Sequence, residues 1–368
     1  MPTEDFTIGV EEEFGLVDPL TRELRPDIHE VLPDAESLVR GDEVSTELQQ
    51  SQIEIGTPVC RTLSEVRDEL RRLRSRVAAA ADAHGLAVLA AGSHPKANGP
   101  GRQITDKATY EELGQRYAHL ADEQLVFGCH VHVGVLDREL AIAAMGHLRP
   151  WLAPLLALTV SSPYWDGTDT GYASYRTEVF GRWPTAGPPE LFRDRREFDD
   201  VVAQLLATGS IDDPARIYWD VRPSARFETL ELRVADVCTS LDDAVLVAGL
   251  AGALVRTGVR LAETGRPPSA VRPEVMRAAR WRAARYGLSA DLIDPEARRS
   301  APAGEVIARL LDFVGVALDE WGEREHVTQL TERVLARGTS AQRQRDVYAR
   351  RGSLDDVVDW ILAETARA

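Results

Sequence analysis

Three adjacent carboxylates inside an apolar run leave a chain few ways to fold. The run is Thr7-Ile8-Gly9-Val10-Glu11-Glu12-Glu13-Phe14-Gly15-Leu16-Val17. It reads as a β-strand. Side chains on a strand alternate between faces, so Glu11 and Glu13 share one face. Glu12 takes the other, in parity with Ile8, Val10, Phe14 and Leu16. Two carboxylates about 7 Å apart along one face repel unless positive charge lies between them. A solvated strand edge is one reading. The apolar backing and the flanking Gly9 and Gly15 favour the other, an oxygen-lined site for a hard cation.

Three further stretches repeat the pattern. Gln52-Ile53-Glu54-Ile55-Gly56-Thr57-Pro58 is a strand ended by Gly and Pro, with Glu54 opposite Ile53 and Ile55. Leu125–Val135 is rich in valine and sets His130 and His132 on one face. A His-x-His pair suits a ligand or phosphate contact. It would also suit zinc, but no third His or Cys stands at a convincing spacing. In Phe227–Asp236, Glu231 and Arg233 share the face opposite Leu230, Leu232 and Val234. They form either an exposed salt bridge of little worth, or a metal carboxylate beside a guanidinium for a substrate carboxylate or phosphate.

Between these strands, Thr62-Leu63-Ser64-Glu65 is a capping box. It opens a helix to about residue 84 with a stripe of Val66, Leu70, Leu73, Val77 and Ala80. The arginines of 67–76 read as its wet face. The segment 161–189 is long, aromatic and dense in Gly, Pro, Ser and Thr, the composition of a functional loop or a self-packed one. From residue 241 the pattern is helical, near 241–264, 271–286, 303–321, 323–337, 340–350 and 353–366. We expect a single catalytic domain over 1–368, with a sheet-forming part to about 240 and a helical part after it.

Composition narrows the function. A formal charge of −16 argues against nucleic-acid binding, which depends on phosphate neutralisation. Cys60, Cys129 and Cys238 are too few and too dispersed for a disulfide framework, and fit a reducing cytoplasm. Met1-Pro-Thr-Glu-Asp lacks a signal-peptide layout. The apolar runs at 151–160 and 244–254 read as too short or too Gly-interrupted for a membrane span. Together the four strands describe a sheet whose concave face holds divalent cations and, through them, a nucleotide.

In combination these motifs resemble a known family. Gly9-x-Glu11-x-Glu13, the Gln52–Pro58 run, Gly128-Cys-His130-Val-His132-Val-Gly134, Tyr175-Arg176-x-x-x-Phe-Gly181-Arg182-Trp183-Pro184 and Thr229-x-Glu231-x-Arg233 look like the carboxylate–amine ligases named type 2 glutamate–cysteine ligases. The likeness covers most of the chain, including Trp281-Arg282-Ala-Ala-Arg285-Tyr-Gly287. It implies an α+β, glutamine-synthetase-like fold: a curved, mostly antiparallel sheet forming a funnel, helices outside, and a helical C-terminal part. It implies ATP with Mg2+ or Mn2+, a small-molecule acid such as glutamate, an amine such as cysteine, no nucleic acid or membrane, and a homodimer. By this resemblance Glu11, Glu13, Glu54, His130 and Glu231 are metal ligands, and Glu47 is a further candidate. His132, Arg233 and Arg282 would contact the nucleotide, while Arg233, Arg176 and Arg182 would act on the reacting groups. Three alternatives stay open: a metal-dependent amide or phosphoester hydrolase, a ligase for a different acid and amine, and a catalytically silent nucleotide binder.

Overall fold

The computed structural model describes residues 6–96 and 99–367. The N-terminal segment read above for its lack of a signal-peptide layout, residues 1–5, lies outside them. The centre of the molecule is β1 (Ile8–Val17), as its alternating carboxylates require. On one side its middle, Glu11 to Gly15, pairs with β3 (Gln52–Gly56), which in turn pairs with β2 (Val44–Thr46). On the other side its second half pairs with β4 (Ala87–Leu89) and its first half with β5 (Gly128–Gly134). A hairpin of β6 (Tyr164–Trp165) and β7 (Thr168–Asp169) stands apart. The sheet continues from β5 to β9 (Thr229–Asp236) and ends on β8 (Val221–Pro223). Every ladder of this seven-stranded sheet is antiparallel.

One face of the sheet is covered. Ile8, Val10, Phe14 and Leu16 are buried against the helices Leu63–Ala83 and Leu241–Glu263. Thr62 caps the first of these by accepting from the Glu65 amide, and its buried stripe is the one the spacing predicts. The helix Leu241–Glu263 and the stretch Arg138–Thr159 are, against the sequence reading, long and apolar enough to cross a membrane. They spend that apolarity internally, with 89% and 83% of their most apolar windows buried in the protein. The remaining C-terminal helices follow near the expected positions, with one addition, a hairpin of β10 (Leu292–Asp294) and β11 (Arg299–Ala301).

A second expectation fails. Arg74 is not on the wet face of its helix. It is buried and grips Glu12, with Nε to Oε2 at 2.8 Å and Nη2 to Oε1 at 2.5 Å. Nη2 also donates to the Cys238 carbonyl at 2.8 Å. The cause is β1 itself. With Glu11 and Glu13 on the open face, Glu12 must enter the core, and a buried carboxylate needs a paired, hydrogen-bonded cation.

Removing one partner strands the other charge. Glu12→Gln is therefore expected to lower unfolding free energy by about 3–5 kcal/mol. Adding Arg74→Met should recover much of that loss. Urea denaturation of the two variants measures both, and equal instability of single and double variants would contradict the pairing.

Candidate active site

The open face of the sheet carries its polar groups in register. Glu13 stands opposite Glu54, and Glu54 opposite Ser45. Glu11 faces His130, His132 faces Glu231, and Glu231 faces Arg222. Directly opposed residues have Cβ atoms about 5 Å apart, so side chains from six strands meet above the sheet. They line a cavity of about 490 Å³. Glu47 joins them there, with an aromatic wall of Tyr110, Phe180, Trp183, Tyr218 and Phe227.

Two acidic groups can be told apart. In the first, Glu11, His132 and Glu231 offer ligand atoms all within 4.8 Å of one another. His132 Nε2 lies 3.3 Å from Glu11 Oε1, and His130 Nδ1 lies 3.4 Å from Glu11 Oε2. Burial pushes Glu11 upward, but the two imidazoles outweigh it and hold the carboxyl well below its usual range. Burial likewise opposes ionisation of Glu231, and Arg233 and Arg222 overcome it. Burial and the Arg233 charge push His130 down to about 4, so its ring is neutral and has a lone pair to give. For His132 burial is outweighed by Glu11, and its pKa rises.

In the second group the balance is reversed. Burial and the Glu47 charge raise Glu13 to about 7 and Glu54 well above its usual value. Glu13 Oε2 accepts from the Gly128 amide at 2.6 Å, and its other oxygen lies 3.7 Å from His130 Nε2. Among the described residues, the nitrogens His130 Nε2 and His132 Nε2 are buried without a hydrogen bond. Clustered carboxylates that resist ionisation, beside imidazoles with unused nitrogens, are a donor set that fits divalent cations.

The cationic side is held as closely. Arg233 contacts Glu231, its Nη1 lies 3.5 Å from His130 Nδ1, and it sits over the Phe180 ring. Arg176 is buried over the same ring, 5.3 Å from the centroid, and its Nη2 donates to the Arg233 carbonyl at 3.4 Å. Gly128 makes this possible, since a Cβ there would overlap the Arg176 guanidinium and fall 2.9 Å from His130 Nε2.

Of the residues singled out from sequence, Glu11, Glu13, Glu54, His130, His132, Glu231, Arg176 and Arg233 line the cavity. Arg182 and Arg282 do not. Arg182 points outward from the turn after the helix Tyr175–Phe180 and pairs with Glu123 at 2.7 Å. Arg282 donates to the Asp291 carbonyl and packs on Tyr286. Sequence reasoning missed Arg222, which grips Glu231 with Nε to Oε2 at 2.8 Å and Nη2 to Oε1 at 3.2 Å. Its signal was a hairpin register, nine residues before Glu231 across the 224–228 turn.

The profile of glutamate–cysteine ligase family 2 matches residues 7–359. The chain belongs to that family. A Frankia alni protein provisionally named glutamate–cysteine ligase 2-2 is 45% identical, over 98% of this chain and 97% of its own length. A Rhodopirellula baltica relative with a similar provisional name is 40% identical, covering 98% and 96%. A Frankia casuarinae relative at 44% identity is longer, and the chain spans 41% of it. Among solved structures, glutamate–cysteine ligase from Francisella tularensis in complex with AMP superposes with a TM-score of 0.74 at 12% identity, covering 99% of this chain and 88% of that one. A bifunctional glutathione synthetase from Pasteurella multocida gives 0.72 at 16% identity, covering 99% and 53%. The fold is that of the glutamine-synthetase-like ligases, and the family makes the protein an ATP-dependent ligase.

Gly128→Ala should fold and yet lose activity by about 100-fold or more, because sub-ångström placement of Arg176 and His130 is what it disturbs. ADP release together with a melting curve checks this; wild-type turnover would show that the close approach is unimportant. A second expectation concerns pH. Glu13 and Glu54 bind protons more tightly folded than unfolded, so the stability they contribute in acid begins to be lost as pH rises past about 4.5, and for Glu13 the loss is complete once pH passes about 7. His132 acts in the same direction above about 6.5, and His130, pushed down to about 4, opposes the two carboxyls with one proton below about 6.5. In EDTA, Tm should fall between about pH 4.5 and 7, and Mg2+ should flatten that slope. A flat profile without metal would contradict it.

Proposed function

We propose that the enzyme forms an amide in two steps: a substrate carboxylate attacks the γ-phosphate of ATP, and an amine then displaces phosphate from the acyl phosphate. We take glutamate as the acid and cysteine as the amine, in keeping with the names of the relatives. The observation that carries this reading is one cavity in which a carboxylate–imidazole cluster meets a guanidinium wall. Phosphoryl transfer asks for little covalent chemistry from a protein, and mostly for positioning and charge stabilisation.

Glu11, Glu13, Glu54, His130 and Glu231 would hold Mg2+ or Mn2+, with Glu47 beside them. A bound ion supplies neutralisation of charge on the phosphate oxygens. Arg233 is suited to the transferred phosphoryl oxygens, since Glu231 and the Phe180 ring fix its guanidinium in the cavity. His132, whose Nδ1 is 2.9 Å from Thr229 Oγ1, is held ready to contact phosphate. Arg176 receives the acid's carboxylate, and the aromatic wall excludes water that would hydrolyse an acyl phosphate. Arg182 and Arg282, which lie outside the cavity, are left out of this set.

The test is ADP release with glutamate and cysteine supplied singly and together, with γ-glutamylcysteine followed by mass spectrometry. Fast ADP release is expected only with both substrates. Glu54→Ala and Glu231→Ala should each lower it by more than about 100-fold while circular dichroism stays native. Amide or phosphoester hydrolysis without ATP, or near-wild-type rates in both variants, would overturn the proposal.

A further inference from the structure

Asp236 closes β9 and is completely buried. Its Oδ2 accepts from the Ser161 amide at 2.8 Å and from Ser162 Oγ at 2.7 Å. Its Oδ1 accepts from Ser174 Oγ at 2.7 Å and lies 4.0 Å from Arg176 Nη1. There is no slack around it: a Cβ on Gly92 would fall 2.7 Å from the Asp236 carboxyl carbon. The same serines hold Arg176. Ser162 Oγ accepts from the Arg176 amide at 3.1 Å. Ser174 Oγ accepts from the Thr177 amide at 3.2 Å and so caps the helix Tyr175–Phe180 that carries Arg176.

Arg176 itself is nearly unspent. It is 3% exposed, and among the described residues its Nε has no hydrogen-bond partner and its guanidinium makes one long hydrogen bond, to the Arg233 carbonyl. A guanidinium has five N–H donors, and burying it with most of them unused is unfavourable unless charge balances it. Two carboxylates compete for that role, Asp236 behind Arg176 and Glu13 across the cavity. If Arg176 swung to Glu13, its donors would be consumed by the acidic cluster. The Asp236 carboxylate, 4.0 Å from Nη1, opposes that pull, and Arg176 stays in the lining of the cavity.

We infer that Asp236 is a positioning residue for the ligase reaction, one that fixes Arg176 and the base of the 161–174 loop for recognition of the acid substrate. The inference rests on the reading above that Arg176 receives the acid's carboxylate. It predicts a selective kinetic effect. In Asp236→Asn the carboxylate charge is lost and an amide N–H2 is set against the surrounding donors. KM for glutamate should rise by about tenfold or more, while KM for ATP stays within about twofold.

Steady-state kinetics of Asp236→Asn, Arg176→Ala and the double variant test this, each with a melting curve. Arg176→Ala should raise KM for glutamate as well, and the double variant should be no worse than the worse single change, since both act through one group. If Arg176→Ala raises KM and Asp236→Asn lowers only Tm and the folded fraction, Asp236 is merely structural and the inference is overturned. If Arg176→Ala leaves KM unchanged, the reading of Arg176 fails and the inference falls with it. Should Asp236→Asn not fold, Ser162→Ala removes one anchor of each residue. A rise of about two- to fivefold in KM for glutamate is then expected, and no rise overturns the inference.

Discussion

The structure turns on how β1 disposes of three consecutive glutamates. A strand cannot place neighbours on one face, so Glu12 is driven into the core while Glu11 and Glu13 stay on the open side. Arg74 neutralises Glu12 from behind, with two hydrogen bonds inside an otherwise apolar layer. That pairing fixes the strand's register as firmly as the apolar residues do. A slip by one residue would bury two unpaired carboxylates and expose Ile8, Val10, Phe14 and Leu16. The front face therefore inherits its chemistry from a constraint satisfied at the back.

Once β1 is fixed, antiparallel pairing does the rest. Register sets Glu54 beside Glu13, His130 beside Glu11, and Glu231 beside His132. No single loop builds the cavity; most of its acidic groups and Arg222 and Arg233 come from strands far apart in sequence and hydrogen-bonded into one sheet. Such a floor holds charge without reorganising, which is what stabilisation of a transferring phosphoryl group requires. The aromatic wall and the buried Arg176 come from the longer connections, locked down where β9 ends at Asp236.

Much of this was legible in the sequence because strand periodicity is strict. Parity alone placed Glu11 with Glu13, His130 with His132, and Glu231 with Arg233, each on the opposite face from its apolar neighbours. What parity cannot supply is the partner across the ladder, which is why Arg222 went unread beside Glu231. Arg74 was hidden differently. It lies between Leu73 and Val77 on the buried stripe, but an arginine-rich run disguises the one member that faces inward. Arg182 and Arg282 show the converse. Motif membership drew attention to them, yet a turn after one short helix and a contact with the Asp291 carbonyl direct both away from the cavity. Asp236 sits on the same strand as Glu231 and Arg233, and only the docking of a distant loop gives it a role.

We propose that carboxylates of β1, β3 and β9, with the imidazoles of β5, converge on shared cations that grip a triphosphate. Crystals grown with Mn2+ and a non-hydrolysable ATP analogue test it most directly, through the anomalous scattering of the metal. Anomalous peaks are expected between Glu11, His132 and Glu231 and between Glu13, Glu47 and Glu54, with the analogue's phosphates against them. Nucleotide bound elsewhere, with no peak inside this cavity, would contradict it.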